Sequence, residues 1–252
     1  MQGQLPGAGA PRRHPSAGNV GRRPELVAAD DLAPAPPVDP STQTDVLLGP
    51  GIIDDAAARL VGNTEGKRIL DLGCGLGGNA IAMARAGAKV IAVDSSVERL
   101  TAARRAAEMA DVRIEFHHGD LADLPFVRAD QIDLAIAVGS LSEVADISRV
   151  FRQVHRVMRT EAPFVISIPH PWSIVLDSSS PPRVARSAFD TSEVERDDAP
   201  TLIPHRITDL VTELVRSNFR PDAVLEPVTH SDDPRASWIP LTVIVRGRKQ
   251  GI

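Results

Sequence analysis

The chain has 252 residues, 42% of them hydrophobic and 24% charged, with a net charge of −5. That composition supports one large domain with its own core, while a field of that sign disfavours a polyanionic partner such as nucleic acid. Aromatics make up 3% and there is no Tyr, so the core must be aliphatic and no tyrosine can act as a base. The single cysteine, Cys74, excludes an intramolecular disulfide and a zinc site built from several cysteines, and fits a reducing, cytoplasmic setting.

Residues 1–45 are rich in Pro, Gly and Ala and lack hydrophobic periodicity, which predicts a disordered tail. The start carries an arginine pair with no apolar stretch behind it, unlike a secretory signal. No apolar run is long enough to span a bilayer, so no membrane partner is expected. From residue 46 onward the pattern is that of a folded domain. "GIIDDAAARLV" (51–61) reads as a helix leading in, and "KRILDLG" (67–73) as a buried strand stopped by glycine. "NAIAMARA" (79–86) reads as a helix ending at Gly87, and "KVIAVD" (89–94) as a second buried strand. Ser95 and Glu98 have capping-box spacing at the head of a helix that places Leu100, Ala103 and Ala107 on one face.

"VRIEFHHGD" (112–120) and "IDLAIAV" (132–138) supply a third and fourth strand. Val144, Ile147, Val150, Phe151, Val154, Val157 and Met158 recur at helical spacing. "FVISIP" (164–169) is a fifth strand, followed by a loop-like stretch, 171–205, too long to be a simple connection. A helix over 207–217 ends at Asn218, and "AVLEPVTH" and "WIPLTVIVRGRK" read as two final strands. The alternation predicts an α/β, doubly wound, mainly parallel sheet with helices on both faces. Its ligand site is expected beyond the carboxyl ends of the strands, where the strand order reverses.

The loop between the first strand and its helix fits both G-x-G-x-x-G (Gly73, Gly75, Gly78) and G-x-G-x-G (Gly73, Gly75, Gly77). Either form alone says only that the chain turns sharply and lets a ligand near the backbone. Asp94, at the end of the second strand, stands where a carboxylate accepts ribose hydroxyls. A nicotinamide dinucleotide and S-adenosyl-L-methionine would both use it so. Asp71, two residues before Gly73, separates them: a carboxylate there repels a pyrophosphate and suits a sulfonium and an ammonium. Asp120, in "GDLADLPF" (119–126), is placed to accept from an adenine amino group.

The ordered set "ILDLGCGLGGNA", "VIAVDSS", "HHGDLADLPF", "IDLAIAVGSLSEV", "VFRQVHRVMR" and "FVISIPHPW" resembles the class I S-adenosylmethionine-dependent methyltransferases, in the branch acting on small molecules, over residues 48 to 249. The resemblance implies a seven-stranded sheet with an antiparallel last strand. It implies that Asp71, Gly73 and Gly75 hold the methionine part of the donor, that Asp94 holds the ribose and that Asp120 and Leu121 meet the adenine. Val138 and Gly139 would line the sulfonium end. Where many relatives have a Pro-Gly-Gly turn before the fifth strand, this chain has "RTEAP" (159–163). The fourth-strand motif lacks the Asp/Asn-Pro-Pro-aromatic sequence associated with methylating nucleobase amino groups.

Methyl transfer from a sulfonium needs alignment and exclusion of water more than activation. Where the acceptor must lose a proton, His170 at the end of the fifth strand is the expected base, against a role in packing or capping. Glu143, at the mouth of the fourth strand, either contacts the acceptor or supports the next helix. Of His117 and His118, strand alternation lets at most one face the cleft. Asp133 is expected to be structural, and Cys74 a small side chain rather than a nucleophile. The 171–205 stretch, with Trp172, Phe189 and His205, is the expected acceptor lid or else a solvated insertion. No metal is expected. An NAD(P)-dependent oxidoreductase and a non-catalytic donor-binding module remain the competing readings, and neither the acceptor nor the oligomeric state is legible.

Overall fold

Near-continuous apolar runs ended by glycine or aspartate build the centre of the sheet, because parallel strands are covered on both faces. β1 (Arg68–Leu72), β2 (Lys89–Asp94), β3 (Ile114–His118), β4 (Leu134–Val138) and β5 (Pro163–Pro169) all run parallel. The computed structural model describes residues 39–52, 59–196 and 199–251. The helices of this half are α1 (Gly78–Arg85), α2 (Val97–Met109) and α3 (Ile147–Val157). After β5 come α4 (Pro171–Val175), β6 (Val194–Arg196), β7 (Ala199–Leu202), α5 (Ile207–Arg216), β8 (Phe219–Leu225) and β9 (Thr242–Lys249).

The seven-stranded sheet has the order β3-β2-β1-β4-β5-β9-β8, with β9 antiparallel to both neighbours. The chain thus winds outward from β1 in one direction, returns through β4 and winds outward in the other. The reversal lies between β1 and β4, where ligands are bound in open α/β sheets. Alternation along each strand divides the core. Leu70, Leu72, Ile91, Val93, Ala135 and Ala137 pack against α3 and α5, while Ile69, Val90, Ala92, Leu134 and Ile136 pack against α1 and Leu100 of α2. The core is aliphatic as composition demands, with Phe151 set edge-on to Phe164 at 5.7 Å the main aromatic contact. Among the described residues no helix is long and apolar enough to cross a membrane.

Several boundaries depart from expectation, each for a local reason. The α2 cap is Ser96, not Ser95: its hydroxyl accepts from Arg99 N–H and donates to Glu98, because Asp94 already accepts from Ser96 N–H and holds Ser95 outside the helix. The strand expected over "AVLEPVTH" begins earlier, at Phe219, directly after Asn218 turns left-handed at φ 62°. Pro221 reads as a strand breaker, but β8 is an edge strand whose register shifts there, so the missing N–H is tolerated. The last strand starts at Thr242, and the residues before it form turns. In "RTEAP" the turn closes with Glu161 at φ 64°, a conformation normally left to glycine.

The domain also begins earlier than residue 46. Pro40–Thr42 form a 3-10 turn capped by Asp39, Ser41 and Gln43 are buried, and Arg85 donates to the carbonyls of both. The rest of the expected tail, residues 1–38, lies outside the described residues, as do 53–58 of the expected leading helix, whose residues 59–61 are helical. The 171–205 stretch is not structureless. It carries α4, a bridge between Leu176 and Val184, and the β6–β7 hairpin.

Candidate active site

The carboxyl ends of β1, β2, β4 and β5 open into a cleft of about 970 Å³, at the upper end of the size of small-molecule sites. Gly73, Gly75, Asp94, Asp120, Leu121, Val138 and Gly139 all line it. Gly73 sits at φ 71°, and a Cβ there would meet the Ser140 side chain at 2.1 Å, so only glycine lets β1 and β4 pass this closely. Gly75, at φ 55°, has nothing within 4 Å of a Cβ position. That bare backbone at the cleft floor is room kept for a ligand.

Asp94 is 1% exposed and fixed by three donors, each at 2.9 Å: Gly75 N–H, Ser96 N–H and the Arg99 Nε–H. One carboxylate therefore joins the glycine loop, the end of β2 and the first turn of α2. Arg99 continues across the cleft and binds both oxygens of Glu143 at 3.2 and 3.0 Å. Glu143 thus reaches the cleft as its position suggested, but with its carboxylate already engaged.

Asp71 is the exception among the expected donor residues, since it does not line the cleft. Its side chain is 2% exposed and its Oδ2 is buried without a hydrogen-bond partner. Burial first, and then the charge of Asp94, push its carboxyl up to about 7. The same two aspartates, after burial, push the Cys74 thiol up, so it stays a protonated, unreactive side chain.

His170 is placed as a helix cap, the alternative weighed against its role as a base. Its Nδ1 accepts from Trp172 N–H at 3.1 Å, capping α4, which leaves the proton on Nε2, 2.9 Å from Glu226. It is 2% exposed and absent from the cleft wall. A cap contributes about 0.5–2 kcal/mol, so His170→Ala is expected to lower Tm by several degrees. A thermal melt beside a methyl-transfer assay checks this: kcat should change less than threefold, and a loss of 100-fold or more with Tm preserved would restore His170 as the base.

The other expectations sort by strand direction. His118 lines the cleft, its Nε2–H on the Ser95 carbonyl, while His117 turns away to stack on Phe126 at 3.7 Å. Asp133 is structural, accepting from Arg68 N–H and pairing with Arg159. Asp120 accepts from Ala122 N–H at Oδ1 and has its Oδ2 3.9 Å from Arg149. His205 donates to the Leu141 and Val144 carbonyls, and Ile203 N–H to Ser142 O, which dock the hairpin segment on the turn after β4. Arg196 and Pro200 of that hairpin reach the cleft wall, whereas Phe189 is exposed and Trp172 half-exposed, neither at the wall.

Sequence reading missed Arg99 and the whole 229–242 wall, which contributes Thr229, Ser231, Asp233, Arg235 and Thr242. Arg99 was within reach, being five residues after Asp94 in the first turn of a helix already anticipated. The wall carried no motif, because loop residues are brought to the cleft only when β9 inserts between β5 and β8.

The geometry also limits Asp94. A carboxylate offers about four lone-pair directions, and three are in use, so two ribose hydroxyls can bind only if one donor leaves. The backbone donors are fixed, so Arg99 is the donor expected to give way. Arg99→Met is therefore expected to tighten donor binding by about tenfold, the value of roughly one charge-assisted bond no longer surrendered. Isothermal titration would measure this, and a weaker complex would show that Arg99 is a ligand and not a competitor.

Residues 69–161 match the model of a methyltransferase domain family. The chain is 31% identical over 198 residues to the O-methyltransferase cnsE of Penicillium expansum, covering 74% of this chain and 68% of that one. It is 36% identical over 111 residues to a demethylmenaquinone methyltransferase of Clavibacter sepedonicus, covering 44% of each. The matches to the first curated relatives span less than half of their lengths. An S-adenosylmethionine-dependent methyltransferase of known structure from Mesorhizobium loti superposes with a TM-score of 0.65 at 25% identity, covering 77% of this chain and 96% of that one. The chain belongs to the class I S-adenosylmethionine-dependent methyltransferases.

Proposed function

We propose that this protein is an enzyme that transfers a methyl group from S-adenosylmethionine to a small-molecule acceptor by in-line displacement. The observation that carries this reading is the pair of buried carboxylates under an open glycine loop. Asp94 would hold the ribose, and Asp71, buried beneath the loop with its Oδ2 unpartnered, would ionise beside a sulfonium and an ammonium. Gly73 and Gly75 would seat the methionine portion, Asp120 and Leu121 the adenine, and Val138 and Gly139 the reacting end. A bound donor supplies an already activated methyl group. The protein's own part is to orient the acceptor, keep water out and hold negative charge beneath the cation. The docked hairpin serves as the cover over the acceptor end.

The small-molecule branch is supported by the names of the relatives, O-methyltransferases of ubiquinone biosynthesis and of magnesium-protoporphyrin, and by the net charge of −5, which suits a polynucleotide poorly. Among the described residues no group of His, Cys, Asp and Glu is arranged to hold a metal ion. Titration calorimetry tests the reading. S-adenosylmethionine and S-adenosylhomocysteine should each bind at one site, with NAD and NADP silent, and methyl label should pass to a small acceptor. Nicotinamide-cofactor binding without donor binding would overturn it, and donor binding with no transfer to any acceptor would reduce the protein to a binding module.

A further inference from the structure

Resting on that function, the acceptor end of the cleft points to a substrate class. The carboxylates that reach it are each paired with an arginine. Glu143 is held at both oxygens by Arg99, and Asp233 by the Nε–H and a terminal N–H of Arg235. His170, at the end of β5, is locked as a cap off the wall. His118 stands at the end of β3, on the side expected for the adenine. None of these four groups is a poised base for an acceptor that must surrender a proton, such as an alcohol or a phenol.

The same region does offer positive charge and hydroxyl groups. Arg196 of the hairpin lines the cleft, and among the described residues its guanidinium is met by the Pro200 carbonyl alone. Its remaining N–H groups are free to donate to an anion, and guanidinium matches the geometry of a carboxylate. The hydroxyl side chains of Ser142 and Ser231 share the wall. Bulky aromatic rings are missing from the described lining, which suits a compact polar acceptor better than a flat polycyclic one.

We propose that the acceptor is a small carboxylic acid, methylated on its carboxylate to a methyl ester, with Arg196 orienting the anion. A carboxylate is already ionised at neutral pH, so no base is required. One carboxylate oxygen attacks the methyl carbon, and the carbon–sulfur bond breaks with its electron pair left on sulfur. The products are the ester and S-adenosylhomocysteine, and no proton is released.

The test uses the full chain, donor labelled in its methyl group, and a panel of small mono- and dicarboxylic acids beside matched alcohols and phenols. Esters release labelled methanol on mild alkali, whereas ethers and amines hold the label. Alkali-labile product from acids is the expected result. Label that survives alkali, or donor binding with no acid methylated, overturns the inference while leaving the methyl-transfer reading standing. Failure to bind the donor overturns that reading itself. Arg196→Gln, an exposed change outside the donor site, is expected to raise KM for the acid tenfold or more, with donor affinity and Tm unchanged. An unaltered KM would remove Arg196 from acceptor binding.

Discussion

Asp71→Asn is expected to make the empty protein more stable above pH 7 and a poorer binder of donor. The Asp71 carboxyl sits at about 7 in the folded chain against an ordinary 3.8. Between those values the native state holds a proton that the unfolded chain has lost, so stability attributable to this group falls as pH rises from about 4 to about 7, then levels off. The gap corresponds to a penalty on the order of 4 kcal/mol at pH 8. An amide avoids the buried charge but leaves its own N–H groups poorly paired, at about 1–3 kcal/mol. The expected net gain is about 2 kcal/mol, or roughly 5 °C in Tm. Denaturant unfolding of both proteins at pH 5.5 and pH 8 measures it. The two should nearly coincide at the lower pH and separate at the higher, with the variant ahead.

The same charge works for the donor. A sulfonium stabilises ionised Asp71, so donor affinity should climb with pH up to about 7 and be flat beyond it. In Asp71→Asn that climb should vanish, and binding at pH 8 should weaken by 10-fold or more. Stability given up in the empty protein is recovered when the cation arrives, a common trade at functional sites.

Asp94→Asn is expected to cost 100- to 1000-fold in donor affinity with the fold intact. Two hydroxyl donors to a charged oxygen pair contribute about 1.5–3 kcal/mol each, and an amide keeps the shape while losing the charge and one acceptor. The Gly75 and Ser96 N–H groups bond different Asp94 oxygens, so the amide carbonyl can keep one of them, and Arg99 keeps Glu143. Removing the Asp94 charge also removes the second cause of the raised Asp71 carboxyl, so the two variants should not be additive. Calorimetry on each single variant and the double reads both effects.

The part of the cleft lining formed by the ends of β1 and β2 was legible in the chain because its determinants are local. Apolar runs, glycines at fixed offsets and an aspartate closing β2 all act within about 25 residues of one another. Asp71 illustrates the limit. Its charge and place were readable, but its burial beneath the cleft depends on the segment at 47–52 and on α1 covering that face of the sheet. The direction of His170 was hidden because the end of β5 marks a neighbourhood, not a direction, and Glu226, 56 residues on, pairs with the imidazole. The acceptor wall was hidden for the same reason. Thr229 to Thr242 form a loop with no period, and its place at the cleft follows from β9 running antiparallel inside the sheet. Proline at an edge strand and a serine shifted by one position account for the remaining differences in α2 and β8.

The most direct measurement is a crystal structure of the full chain with S-adenosylhomocysteine bound. The ribose hydroxyls should lie on Asp94 with Arg99 displaced, the adenine beside Asp120 and Leu121, and the amino-acid end over Gly73 and Gly75 toward Asp71. Adenosine seated elsewhere, or a pyrophosphate accepted next to Asp71 in a dinucleotide soak, would contradict the account.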